Sequence, residues 1–123
     1  MNLALWIVAG LLAAVYLGTG ITKLSYSRER LHAQMPWVDD FSTTSVKLIG
    51  AAEVLGAVGL IVPEATGTAE VLTPIAAACL AALQAGAISV HARRHETENL
   101  ALNVFLLLAA VFVALGRALG WGV

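Results

Sequence analysis

The stretch whose reading decides the fold is Val46–Val62, VKLIGAAEVLGAVGLIV, with Glu53 near its middle. It is apolar and long enough to cross a bilayer, where a hydrocarbon core takes about 20 residues of helix (range about 17–25). A charge at that depth costs about 2.5–3.5 kcal/mol on insertion scales, so such residues face a bundle interior. Gly50, Gly56 and Ala57 share the Glu53 face at helical spacing, where small side chains let neighbouring helices approach. The question raised by the chain is which other polar groups converge on Glu53.

The 123 residues are 59% hydrophobic and 12% charged, with a mean hydropathy of +0.85. Soluble domains average about 45–50% apolar and about 25% charged, so both departures indicate an integral membrane protein. The net charge of −1 offers no basic field for nucleic acid. The one cysteine, Cys79, lies in an apolar run and reads as a small buried residue. A single cysteine also excludes dithiol chemistry within this chain.

Three further spans flank the central one. Leu3–Thr22 carries no charge, nothing basic precedes it, and Lys23 follows it, so a retained helix is expected and not a cleaved signal peptide. Gly10, Ala14, Gly18 and Thr22 recur every four residues as a small-residue seam for close helix packing. The second span is expected to end at Pro63, and Glu64–Ala69 to turn tightly into the third, with Glu70 in that helix's first turn. Gln84 and His91 lie seven residues apart and share a face of the third span; Asn99 and Asn103 begin the fourth. Arg117 and Trp121 close the fourth span at the far interface.

The expected architecture is all-α: one membrane domain over residues 1–123, a four-helix transmembrane bundle of antiparallel up-down neighbours. The helices fall at about 3–23, 45–62, 70–91 and 98–117. Between the first two, Ser27 caps a short amphipathic helix with Leu31 and Met35 on one face, which Pro36 ends. Ser42, Thr43 and Thr44 are cap candidates for the second span. Lys23, Arg28, Arg30, Arg93 and Arg94 fall on one side and Arg117 on the other. The positive-inside rule then puts both termini outside a bacterial-type plasma (inner) membrane and both polar connections in the cytoplasm.

At a rise of 1.5 Å per residue, Asn103 lies roughly 7 Å below the cytoplasmic helix ends, Tyr16 and Gln84 about 10 Å and Glu53 about 12 Å. Lys23, Lys47, His91 and Asn99 line the mouth. The candidate binding residues are therefore Glu53, Lys23, Tyr16, Gln84, His91 and Asn103, around a pocket open on one side only. Glu53 is either ionised and paired with Lys23 or Lys47, or neutral because burial disfavours the charged form, and the sequence does not choose between them. His91 and His95 stand four apart, a spacing that can hold a metal on one helix face, but HARRH is not HExxH and no metal is expected. No nucleophile triad or phosphate loop is present, and the chain is not expected to be an enzyme on its own.

Several segments resemble the DoxX-like family of small four-helix membrane proteins. These are GxxKL at Gly20–Leu24, AQMPWVDDF at Ala33–Phe41, VKLIGAAEVLGAVGLIVP at Val46–Pro63 and LTP at Leu72–Pro74. His91 with Arg93–Arg94 completes them. The resemblance implies the same bundle, and Glu53, Lys23 and His91 fall on the family's recurrent polar positions. The family takes its name from a small subunit associated with archaeal quinone-linked sulfur oxidation; more distant relatives look like membrane chaperones and cargo receptors. It thus implies an accessory or quinone/lipid-handling subunit of a membrane redox system, with quinone as the possible cofactor. A quinone headgroup would meet His91, Gln84 or Tyr16. The alternatives are a membrane chaperone or assembly factor, with a partner protein or a second copy against the Gly10–Gly18 seam, and binding or transport of a small polar solute at Glu53.

Overall fold

The computed structural model describes residues 2–96 and 100–120, and among them every regular element is helical. Four long helices carry the apolar spans: α1 (Asn2–Ser25), α3 (Thr43–Thr66), α4 (Leu72–Arg93) and α5 (Leu100–Leu119). All four are long and apolar enough to cross a membrane, and the chain is an integral membrane protein with a lipid bilayer as its surroundings. α1 packs on α3, α3 on α4, α4 on α5, and α5 closes back on α1. Tyr16 and Leu12 of α1, Leu60 of α3, Leu80 of α4, and Ala110 and Val113 of α5 meet in the core. Leu3, Leu11, Leu48, Leu55, Phe105 and Leu108 point outward, as a lipid-facing surface requires.

Between α1 and α3 the short helix α2 (Arg28–Gln34) forms as its sequence suggests. Ser27 caps it by accepting from the Arg30 N–H, and Leu31 packs with Val38 and Val46. A 3-10 turn follows at Pro36–Asp40. Arg28 holds that turn down by donating to the carbonyls of Val38 and Phe41, at 3.0 and 2.7 Å. Of the three cap candidates for α3, Ser42 takes the position and accepts from the Ser45 N–H at 3.1 Å.

α3 does not stop at Pro63. It continues one turn to Thr66, where Gly67 takes the left-handed conformation (φ 67°) that ends it. A proline inside a helix withholds the N–H that would bond the carbonyl four residues back, here that of Gly59. The Thr73 hydroxyl, fully buried on α4, supplies the missing donor to that carbonyl at 2.9 Å. In a bilayer such a freed carbonyl must find a neighbouring helix, and Thr73 is that neighbour. α4 itself starts at Leu72, so Glu70 lies in the preceding turn and not in the helix's first turn.

Two other expectations are corrected. Cys79 is exposed on the lipid-facing side of α4 and not buried. The Gly10–Ala14–Gly18 seam also faces outward, with nothing within 4 Å of where a Cβ would stand at Gly10 or Gly18. The close approach of α1 and α3 happens instead at Gly20 and Gly50. A Cβ on Gly50 would stand 2.8 Å from Lys23 Cβ and 2.9 Å from the Gly20 carbonyl. Gly56 plays the same part against Leu80 of α4, so the small residues beside Glu53 do admit neighbouring helices.

Candidate functional site

That close approach is what brings α1 under Glu53. Tyr16, Thr19 and Lys23 fall on one face of α1, three and four residues apart, and the Gly20–Gly50 contact sets this face against α3. Lys23 Nζ stands 2.5 Å from Glu53 Oε1, with the two residues 7% and 4% exposed. Thr19 Oγ1 donates to the other carboxylate oxygen, Oε2. Both oxygens are thus engaged and the charge is balanced within the bundle, as burial at membrane depth demands. Lys47, the other expected partner, is exposed and caps α1 by donating to the Leu24 carbonyl at 2.9 Å.

One turn deeper the diagonal between α1 and α4 is bridged by a second polar contact. The Tyr16 hydroxyl donates to Gln84 Oε1 at 2.9 Å, and both residues are buried. Asn103, on α5, adds an amide whose Nδ2 is sealed from solvent and has no partner among the described residues. A donor left so costs about 1–3 kcal/mol and calls for an explanation.

These groups line a single cleft of about 650 Å³ at the end of the bundle that carries the α1–α3 connection. All six candidate residues, Glu53, Lys23, Tyr16, Gln84, His91 and Asn103, lie on its wall. Its remaining surface is largely apolar, from Val15, Ile49, Leu83, Leu102 and Leu106. Small-molecule sites have this size and make-up, an apolar wall with a few convergent polar groups. Asn99, expected at the mouth, and Trp121, expected at the far interface, lie outside the described residues.

The mouth differs from its expected form in two places. His91 Nδ1 meets Glu96 Oε1 at 3.2 Å, and Arg94 reaches the other oxygen of the same carboxylate at 3.2 Å. His95 lies beyond the end of α4 with φ 58°, so it does not share a helix face with His91 and the metal-binding spacing is not realised. The loop between α1 and α3 contributes to the site as well. Trp37 packs edge-on against Phe41 with centroids 5.6 Å apart, and Lys23 Nζ lies 5.6 Å from the Trp37 ring. Trp37 therefore roofs the buried pair. Thr19 could have been assigned to the site from its four-residue spacing to Lys23; Trp37 had no such signal, because its position depends on how Arg28 folds the loop.

The opposite end of the bundle has no such cleft among the described residues. Ala9, Leu60, Ala77, Ala110 and Val113 pack it closed, and Arg117 ties the helix ends together. Its Nη1 bonds Asn2 Oδ1 at 2.8 Å and stands 4.0 Å from Glu64 Oε2, with the guanidinium 5.3 Å from the Trp6 ring.

In comparisons with known proteins, the sequence model of the DoxX-like family matches residues 7–113. No curated protein and no solved structure matches the chain.

Proposed function

The chain belongs to the DoxX-like family, and we propose that it binds an amphipathic membrane molecule in the cleft beneath Trp37, as the quinone- or lipid-handling accessory subunit of a membrane redox system. The observation that carries this reading is the cleft itself. It joins an apolar wall to a small set of polar groups at membrane depth, and one of those groups, Asn103 Nδ2, has no partner among the described residues. A quinone suits it chemically, because ring carbonyls accept hydrogen bonds while the isoprenoid tail lies against Val15, Leu102 and Leu106. The packed opposite half of the bundle favours a binding role over a path through the membrane. The basic residues around the cleft mouth support a reading in which it opens to the cytoplasmic side of a bacterial-type inner membrane, with both termini outside.

The test is to purify the protein in a mild detergent, extract it with solvent, and compare the extract with that of the whole membrane by mass spectrometry. A quinone or a particular lipid should be retained at near one molecule per chain, well above its share of the bulk. An extract of the same composition as the surrounding membrane would remove this reading.

A further inference from the structure

We infer that the cleft is entered sideways from the bilayer past Gly86, and that Asn103 and Gln84 select a ligand whose polar end is a hydrogen-bond acceptor. The inference rests on the reading of the cleft as an amphiphile site and adds to it a route and a chemical class.

The route follows from where the cleft wall ends. Gln84 points into the bundle, while Ala82, Gly86 and Ser89 lie round the other side of α4, and all of them line the cleft. Val15 on α1 and Leu102 on α5 do so too, although each is also exposed on the lipid-facing surface. The cavity therefore runs from buried polar groups to hydrocarbon at membrane depth. Gly86 leaves that side of the wall open, since nothing stands within 4 Å of where a Cβ would be. A molecule already dissolved in the bilayer reaches the site this way without passing through water.

The class follows from a count of donors and acceptors. Both oxygens of Glu53 are taken, by Lys23 and Thr19, and Gln84 Oε1 is taken by the Tyr16 hydroxyl. The amide nitrogen of Gln84 has no hydrogen bond among the described residues, and neither has Asn103 Nδ2. Among the described residues no group fixes the Asn103 amide, and its last torsion is a broad two-fold one, so it can turn either its N–H groups or its oxygen to the cleft. Arg93, exposed at the mouth, adds further donors. The unused capacity of the site is thus weighted towards donors. A carbonyl or carboxylate end completes it, whereas an ammonium end would find Asn103 Oδ1 as an acceptor but leave the Gln84 and Arg93 donors unmatched, a mismatch that site-built hydrogen bonding disfavours. Carbonyl (a quinone) and carboxylate (a fatty acid) are the two sources of that chemistry.

The experiment uses the whole chain in nanodiscs of zwitterionic lipid, with Trp6→Phe and Trp121→Phe leaving Trp37 as the only tryptophan, excited selectively over the tyrosines. Decylubiquinone binding is read as quenching of Trp37, and sodium decanoate and decylammonium are then titrated as competitors. The expected result is that decylubiquinone, decanoate or both bind at least tenfold tighter than decylammonium, the stronger of the two naming the source. Gln84→Glu keeps the acceptor for Tyr16 but removes the donors, and should cut that preference tenfold or more; Asn103→Asp should do the same. Gly86→Leu should weaken all probes together, while Gly18→Leu, which fills equally open space elsewhere, should change none. Equal binding of the three heads, or a preference untouched by Gln84→Glu, overturns the selectivity, and unchanged binding in Gly86→Leu overturns the route. Either result leaves the amphiphile reading standing. If no probe binds, that reading falls and the inference with it.

Discussion

At one end of the bundle Lys23, in the last turn of α1, meets Glu53, in the middle of α3, at 2.5 Å with both residues buried; at the other, Arg117 stands 4.0 Å from Glu64 beside Asn2 and Trp6. The pairs use the same charges for different ends. Lys23–Glu53 lies at the edge of an open cleft, yet its charges are neutralised within hydrogen-bond distance, and Thr19 engages the carboxylate's second oxygen. Arg117 sits near the end of α5, reaches Asn2 and Trp6 of α1 and Glu64 of α3, and ties together the end of the bundle where Ala9, Leu60 and Val113 pack. The two basic side chains are equally buried near helix ends; what separates the pairs is the carboxylate, mid-helix at Glu53 and near the helix end at Glu64. A charge at mid-membrane has no solvent to fall back on, whereas one near a helix end can reach the interface.

The largest consequence is expected at the deeper pair. Lys23→Met or Glu53→Leu alone leaves a buried charge without its partner, and each should cost about 3–5 kcal/mol. The double substitution removes both charges and should recover at least half of that loss. Denaturant unfolding in bicelles measures all three variants. Simple additivity of the two single losses would show that the pair is not coupled and would erase the contrast between the ends.

Why the chain disclosed one end and hid the other is a matter of solvent. A bilayer is as apolar as a helix face, so inside and outside cannot be told apart by hydrophobic periodicity. The four spans were readable because their length and lack of charge are enough to define them. Glu53 was readable because a carboxylate is confined to the interior, and Tyr16, Gln84 and Asn103 followed by depth. The direction of the Gly10–Gly18 seam carried no such mark, nor did that of Cys79, and both proved to face outward. The pairing of Glu53 with Lys23 in preference to Lys47 depends on the Gly20–Gly50 approach, which fixes which side of α1 meets α3. His95 and Trp37 depend on backbone turns that spacing alone does not specify.

A smaller effect is expected at the far pair. Arg117→Leu removes a hydrogen bond to Asn2, a contact over Trp6 and a distant partner in Glu64, and should cost about 1–2 kcal/mol. Its coupling to Glu64, taken from a double-mutant cycle, should stay below about 1 kcal/mol and shrink as salt is raised. The Lys23–Glu53 coupling should respond less to salt, because both side chains are buried and in direct hydrogen-bond contact. A salt-independent Arg117–Glu64 coupling as large as that of the deeper pair would mean the two ends are alike.

The smallest effect belongs to a contact without formal charge, at the closed end of α3. Pro63 withholds its N–H from the Gly59 carbonyl, and Thr73 of α4 donates to that carbonyl in its place. Thr73→Val keeps the shape but leaves the carbonyl unpaired, and should cost about 1 kcal/mol, within the range of interhelical hydrogen bonds measured in membranes. The sharper measurement sets this substitution in a Pro63→Ala background. Alanine restores the N–H four residues after Gly59, so the carbonyl gains a donor within its own helix and Thr73→Val should then cost close to nothing. A loss that is the same in both backgrounds would show that Thr73 serves only as packing against Gly59. A loss that vanishes with Pro63 would show that α4 closes this end of the bundle by completing a helix that the proline leaves open.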